Sequence, residues 1–552
     1  MLAKDKLIVL KDLVKQYSRE EIIWTSGYLA GILEQNQSQA SQVVSAGTGP
    51  VVKPTIIYGT ETGNSKKLAL QLQGILKKNK IQSKVFDAFQ YPVEKIEKES
   101  FLIFIISTQG EGDPPQNAVK FFDNLSNLSV NLSKIRYAVL ALGDSSYPLF
   151  CRAGEVIEEQ MVRLKAQRVI ELRKSDVDYA PVAENWFREI LEIIQVSGNA
   201  TPQVKTEANT TVHKKTYEGI LTHKVVLNDR GSNKKTYHVE IAPDEEINYE
   251  PGDAIGFYPE NNPEEIKEIA ALVHSASRYE ELLTKNIRGL SRKSLEKLSQ
   301  LLEVTITEEK ADLVDILKKY PVKEDVSWDA LADLLHPVSP RLYSVSSSPE
   351  AHDGEVHLTV TLDTFVADGV DKTGFCSHFL AEYPKDKQIE FYIHKNQNFK
   401  LPEEDKDIIM IGPGTGIAPF RSFIAHRDAI GAEGRNWLFF GEQHFVSDFY
   451  YQTEIQEWLS TGLLTRLDTA FSRDQEHKIY VQDRLREKAK EVYEWISNGA
   501  YLYVCGQKNP MSTDVENTLV EIIAGEAKIS ETEARAFIEN LEAEGRYQKD
   551  VY

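Results

Sequence analysis

Three stretches decide the fold of this chain: IIYGTETGN (56–64), FIISTQGEGDPP (104–115) and LALGDSSYPLF (140–150). Each begins as the kind of apolar run that a parallel strand covered on both faces requires, and each empties directly into a small polar loop. Ligands of doubly wound sheets sit beyond the carboxyl ends of the strands, so three such loops predict one shared site. Apolar runs at Pro54 to Tyr58, Lys84 to Phe89, Phe101 to Ile106, Tyr137 to Leu142 and Arg168 to Leu172, separated by helical patterns, predict a parallel sheet of about five strands. The first loop offers the hydroxyls of Thr60, Thr62 and Ser65 and the amides around Gly63 at a helix start, neutral donors suited to a phosphate. Gly110 and Gly112 let backbone approach a flat ring, and Tyr147 can lie over its face. Any one of these loops reads equally well as a tight turn; the three together do not.

Working outward, this doubly wound arrangement is expected over residues 51–196, preceded by a helical segment and linker (1–50) in which Ser18 and Glu21 form a capping pair. A second polar linker spans 197–212. Residues 213–402 then alternate in KTYHVEIA, AIGFYP, RLYSVSSS, EVHLTVTLD and QIEFYIHK, which predicts an antiparallel β-barrel interrupted by helices over 262–336. From 403 to 552 the βα pattern returns, with DIIMIG, NWLFFG, LTRLDTAF and AYLYVCG as strands of a second parallel sheet. The run IGPGTGIAPF (411–420) leaves the first of these and opens a helix, so Gly412, Gly414, Thr415 and Gly416 permit close passage of a pyrophosphate. Taken alone, a glycine loop of this kind is weak evidence.

Composition excludes several functions. The balance of 64 Lys and Arg against 84 Asp and Glu gives a net charge of −20, which repels nucleic acid and anionic membranes and suits a basic protein partner. The three cysteines, Cys151, Cys376 and Cys505, lack the paired spacing of a disulfide framework or zinc site and are too few for a four-cysteine cluster. No metal is therefore expected here, and metal redox chemistry would need another chain. No apolar run approaches a membrane span, and the first residues lack a signal-peptide pattern, so a cytoplasmic location is expected.

On the residues just quoted, the chain resembles the diflavin reductases. TETGN, STQGEGDPP and LGDSSY are similar to the FMN-binding loops of the flavodoxin-like domains of that family. The resemblance implies an FMN site of Thr60, Glu61, Thr62, Gly63, Asn64, Ser107, Thr108, Gln109, Gly110, Gly112, Leu142, Gly143, Asp144, Tyr147, Phe150 and Cys151. Gln109 is a departure, since many microsomal relatives carry an aromatic there. RLYSVSSS (341–348) and TGFCSHFL (373–380) resemble the FAD-binding segments of ferredoxin-reductase-like barrels, implying Arg341, Leu342, Tyr343, Ser344, Gly374, Phe375, Cys376 and Ser377. By periodicity alone RLYSVSSS is only a half-buried strand.

SRDQEHKIYVQ (472–482) resembles the family's reader of the NADPH adenosine phosphate. Its Ser472, Arg473, Lys478, Tyr480 and Gln482 join the glycine loop, Cys505 and Asp514 in the implied NADPH site. Glu442 competes with this, because an acid after the second strand of such a sheet often binds the ribose hydroxyls of NAD. The resemblance further places Ser344 near the reactive flavin nitrogen, Cys505 beside the nicotinamide and Asp550 in support of both, with Tyr552 covering the FAD ring.

Within the family, GDSSYPLFC, SPRLYS, NWLFFGEQHF, SRDQEHKIYVQDRLRE and RYQKDVY are most similar to the branch that serves sulfite reduction. That likeness implies electron flow from NADPH to FAD to FMN, and on to a beta subunit bearing sirohaem and an iron–sulfur cluster. WTSGYLAGIL (24–33) looks like the segment tied to self-assembly there, implying a homo-oligomer. Two other readings stay open at this point: a soluble reductase for a different haem or cobalamin protein, and a flavin-free scaffold.

Overall fold

The computed structural model describes residues 53–196 and 215–552, apart from Thr62, Gly110, Glu111, Ser146, Pro148, Asp178, 275–278, Ser291, 309–310, 324–325 and Asp368. The expected N-terminal helical segment and linker (1–50), with Ser18, Glu21 and the segment 24–33, and the second polar linker (197–212) lie outside the described residues. Lys53–Ile193 and Pro202–Tyr552 form one compact unit, to which every feature below belongs.

The first sheet contains β1 (Pro54–Gly59), β2 (Lys84–Asp87), β3 (Phe101–Ser107), β4 (Arg136–Leu142) and two short strands, β5 (Gln167–Arg168) and β6 (Arg173–Ser175). Its order is β2-β1-β3-β4-β5, with β6 also on β4, and all pairings are parallel. β1 and β3 are buried almost throughout, which is why their sequences are unbroken apolar runs. On one face Phe121, Leu125, Ile157 and Met161 pack against Ile57, Phe104 and Val139.

The edge strand expected over Arg168–Leu172 differs. Tyr137 pairs with Arg168 but Leu140 pairs with Arg173, so the chain bulges out between the two pairings. The restarted strand brings Ser175 and Asp176 to the third loop, where Gly143 N–H donates to Ser175 O (3.0 Å) and Ser145 N–H to Asp176 Oδ1 (3.1 Å).

The middle of the chain forms an antiparallel sheet from β7 (Thr216–Val226), β8 (Thr236–Pro243), β9 (Ala254–Phe257), β10 (Arg341–Ser344), β11 (Val356–Thr361) and β14 (Gln388–His394), in the order β10-β9-β14-β7-β8-β11. A bridge between Val345 and Leu358 joins the two ends and closes the barrel. Alternation sends Leu221, Val239, Ile255, Phe257, Leu358 and Phe391 into its interior. Between β9 and β10, helices Pro263–Leu272, Arg292–Leu302, Leu313–Lys319 and Trp328–Leu334 bury their own core around Ile266, Leu298, Leu317 and Trp328. A hairpin of β12 (Thr364–Ala367) and β13 (Val370–Thr373), not foreseen from the sequence, leads into helix Phe375–Glu382.

The last sheet runs β17-β16-β15-β18-β19 and is parallel throughout, with β15 (Ile408–Ile411), β16 (Asn436–Glu442), β17 (Arg466–Phe471), β18 (Tyr501–Gly506) and β19 (Tyr547–Val551). β19 was also unforeseen: it is short and highly polar, and its Lys549 is held by Glu516 (2.9 Å) and Glu542 (2.5 Å). Its register sets Asp550 opposite Cys505. No helix among the described residues is long and apolar enough to cross a membrane.

Candidate functional site

The three loops that decide the first sheet converge as expected. Helix Asn64–Lys78 starts behind Gly63, whose φ of 88° suits a residue without a side chain. At its head, Thr60 Oγ1 and Ser65 Oγ are buried and make no hydrogen bond among the described residues. Each orphaned hydroxyl costs about 1–3 kcal/mol, so a pair of them at a positive helix end fits a phosphate group. The second loop is tied down by Ser107 Oγ donating to Gly59 O (3.3 Å) and by Ala153 N–H donating to Thr108 Oγ1 (3.1 Å), while Gln109 bridges to Asp113. Gly112 has φ of 91°, and a Cβ there would stand 2.8 Å from Leu149, so only glycine lets the second and third loops close together. Thr62 and Gly110 lie outside the described residues.

In the third loop Leu142 is buried, and Gly143, Asp144, Tyr147 and Phe150 are half-buried. Cys151 behaves differently from a surface contact. Its Sγ donates to Ala141 O (3.3 Å), and burial pushes its thiol up to about 12, so its side chain belongs to the packing beneath the loop.

The second centre forms where the barrel meets the last sheet. Ser344 Oγ donates to Asp550 Oδ2 (2.7 Å), and Cys505 Sγ lies 3.9 Å from the same oxygen. Asn396 Nδ2 approaches Asp550 Oδ1 at 3.5 Å. Burial raises the Asp550 carboxyl and, with the Asp550 charge added, raises the Cys505 thiol well above its ordinary value. Cys505 is therefore a neutral thiol.

Beside this cluster the Tyr343 side chain interacts with buried Cys376, whose thiol is pushed up to about 12 by burial, and Leu342 and Arg341 are exposed. Gly374 ends the approach to helix Phe375–Glu382, and a Cβ there would meet Ser377 Oγ at 2.8 Å. Tyr552 follows β19 with 64% of its surface exposed, its hydroxyl 2.6 Å from Thr415 Oγ1. An exposed aromatic two residues beyond the Asp550 carboxylate, held at its hydroxyl by the glycine loop, fits a role beside a flat heteroaromatic ring.

The glycine loop of the last sheet is built against this same cluster. A Cβ on Gly416 would lie 2.1 Å from Cys505 O, so the helix Ile417–Ile430 can start beside β18 only with glycine there. Gly412 and Gly414 complete the turn. Farther along the edge, Arg473, Lys478 and Tyr480 are exposed, and neither cation has an acidic partner among the described residues. Ser472 N–H and Arg473 N–H donate to the carbonyls of Glu442 (2.8 Å) and Gln443 (2.9 Å), which fixes the start of the segment. Gln482 Nε2 reaches Asp514 Oδ2 at 3.5 Å. Two unpaired cations with neighbouring neutral donors fit a dianionic group.

Sequence reasoning missed the residues that join the first loops to the rest of the unit. Asn398 Nδ2 donates to Asn64 Oδ1 (2.8 Å), His394 Nδ1 lies 3.3 Å from Asp144 Oδ2, and Lys508 pairs with Glu61. Their partners were singled out, but nothing in a linear pattern announces contacts across hundreds of residues.

Comparison with known proteins agrees with this geometry. The flavodoxin family matches residues 56–186, the FAD binding domain family residues 279–379, and the oxidoreductase NAD-binding domain family residues 410–517. Among curated proteins, the "Sulfite reductase [NADPH] flavoprotein alpha-component" of Bacillus subtilis (strain 168) is 36% identical over 593 residues, covering 99% of this chain and 97% of that protein. The proteins of the same description from Photorhabdus laumondii and Vibrio vulnificus are each 38% identical, covering 100% and 99% of this chain and 98% and 96% of their own lengths. With three matched parts in the order the structure shows and full-length likeness to these proteins, the chain belongs to the family of sulfite reductase flavoprotein alpha-components.

Proposed function

We propose that this chain is the flavoprotein component of an NADPH-dependent sulfite reductase, an oxidoreductase that carries electrons from NADPH through FAD and FMN to a separate sirohaem and iron–sulfur haemoprotein, for sulfite reduction and cysteine biosynthesis. The observation that carries this reading is the meeting of Ser344, Cys505 and Asp550, from the barrel and the last sheet, with the loops of the first sheet docked beside them. Bound flavins supply the conversion of a two-electron donor into single electrons, which haem and iron–sulfur centres require.

The chain's own residues position rather than transfer protons. Thr60, Ser65 and the amides behind Gly63 would hold the FMN phosphate, while Asn64 and Asp144 set that loop cluster against the barrel and Glu61 sets it against the segment after β18. Arg341 and the helix behind Gly374 serve the FAD pyrophosphate, and Tyr343 lines the ring. Ser472, Arg473, Lys478, Tyr480 and Gln482 receive the adenosine phosphate. Ser344 fixes the Asp550 carboxylate, whose charge favours the cationic oxidised nicotinamide, and the neutral Cys505 thiol fills the space beside it. Tyr552 would cover the flavin ring and would have to move aside for nicotinamide.

A cytoplasmic location is supported by the three buried, unpaired cysteines, and a homo-oligomer by the likeness of residues 24–33 to a self-assembly segment. The test mixes the flavin-loaded chain with NADPH, sulfite and a sirohaem beta subunit. Sulfide formed only when all components are present supports the proposal; rapid reduction of both flavins with no electron passage to the haemoprotein rejects this acceptor.

A further inference from the structure

Glu442 occupies the strand end at which an acid ordinarily selects for unphosphorylated nicotinamide nucleotides. Its surroundings here are unlike such a site. Lys234, from the segment between β7 and β8, pairs with Glu442 Oε1, which also accepts from Tyr450 OH (3.2 Å), while Oε2 accepts from Gln443 N–H (2.6 Å). The Glu442 side chain is only 3% exposed, against 33% for Lys234. A tip of the barrel thus reaches over and occupies the carboxylate of the nucleotide-binding sheet. That tip is anchored independently, by Asn228 Nδ2 (2.7 Å) and Ser232 Oγ (2.6 Å) donating to Asp448 Oδ1 and by Asp229 N–H donating to Ser447 O (2.8 Å).

The position of the pair matters. Glu442 Oε1 would lie 3.7 Å from a Cβ on Gly414, in the glycine loop, and the Glu442 carbonyl accepts from Ser472 N–H, at the start of the phosphate-reading segment. The carboxylate therefore sits between the two places where the nucleotide's phosphates are held. A bare negative charge there would repel both of them through a poorly solvated space and would offer its lone pairs to ribose hydroxyls.

Resting on the NADPH reading above, we propose that Lys234 is a specificity-determining residue: by neutralising and occupying Glu442 it removes the acceptor for an unphosphorylated ribose and keeps the site permissive to a 2′-phosphate. The preference for NADPH then has two sources: cations that attract the phosphate, Arg473 and Lys478, and a cation from another part of the chain that silences an opposing acid.

The experiment measures dissociation constants of NADP⁺ and NAD⁺ by calorimetry on the full-length, flavin-loaded chain and its Lys234→Met, Glu442→Gln and Lys234→Met/Glu442→Gln variants, with FAD content checked for each. Lys234→Met should weaken NADP⁺ about tenfold while leaving NAD⁺ unchanged or tighter, and the double variant should return the NADP⁺ to NAD⁺ ratio to near the parent's. Glu442→Gln alone, which keeps Lys234, should retain or increase the preference. Equal weakening of both nucleotides in Lys234→Met, an unchanged ratio, failure of Glu442→Gln to restore it in the double variant, or loss of preference in Glu442→Gln alone would each overturn the proposal. A parent chain without preference for NADP⁺ would overturn the NADPH reading itself, and this inference with it.

Discussion

Ser344 on β10 and Asp550 on β19 are joined by a 2.7 Å hydrogen bond, although more than two hundred residues separate them in the chain. One residue comes from the antiparallel barrel and the other from the edge of the last parallel sheet, so the bond exists only when those two parts are docked. It also orients the carboxylate that borders Cys505. A hydrogen bond to a charged group contributes about 1.5–3 kcal/mol, so Ser344→Ala should slow flavin reduction by NADPH roughly ten- to a hundredfold. FAD content should be unchanged. Stopped-flow absorbance reads the first quantity and flavin analysis the second.

The first loop yields a separate expectation. Thr60 and Ser65 hold buried hydroxyls without partners among the described residues, so Thr60→Val with Ser65→Ala should tolerate folding while losing FMN. FAD, bound elsewhere, should remain at full occupancy. Chromatography of the released flavins checks this, and parallel loss of both would contradict separate sites.

Lys508 and Glu61 link the segment after β18 to the first loop, and Glu61 also accepts from Gln116 N–H (3.0 Å). Lys508→Met should leave reduction of FAD by NADPH intact and slow the subsequent passage to FMN by severalfold, because the docked arrangement loses one of the ion pairs that hold it. The pair is partly exposed, so raised ionic strength should mimic the substitution weakly. Double-wavelength stopped-flow distinguishes the two steps.

Two buried histidines predict how the whole unit responds to acid. His238 and His357 meet edge-on, with ring centroids 5.1 Å apart, between the barrel and Arg421. Burial, reinforced by the Arg421 charge, lowers them to about 3 and about 2 respectively. Unfolded, each takes a proton near pH 6.5; folded, neither does until far lower, so the unfolded state binds more protons in that window. Stability should therefore be full above pH 6.5 and fall below it, by up to about 2.7 kcal/mol per pH unit if both act independently. Denaturant titrations between pH 4 and 7 should show this slope, and His357→Gln should reduce it by about half.

Much of this was legible in the residues because the signals are local. Unbroken apolar runs marked β1, β3 and β4, and the polar loops that follow mark one edge of the sheet whatever the rest of the chain does. Alternation announced the barrel strands β8, β11 and β14 for the same reason. What escaped reading depends on distant partners. β19 is a strand because β18 offers it an edge and Glu516 and Glu542 neutralise Lys549, none of which is visible in RYQKDVY. The broken strand around Arg168–Arg173 likewise follows from where Asp176 must reach. Glu442 shows the limit most clearly, since its pattern pointed toward one nucleotide while Lys234, far upstream, changes what the carboxylate can do.

The central claim is that a single chain holds two different flavins and accepts electrons from NADPH. Flavin analysis of the purified protein, followed by anaerobic titration with NADPH, tests it most directly. The account predicts FAD and FMN in equal amounts, with both bleached as NADPH is added. One kind of flavin only, or a spectrum that stays oxidised under NADPH, would contradict it.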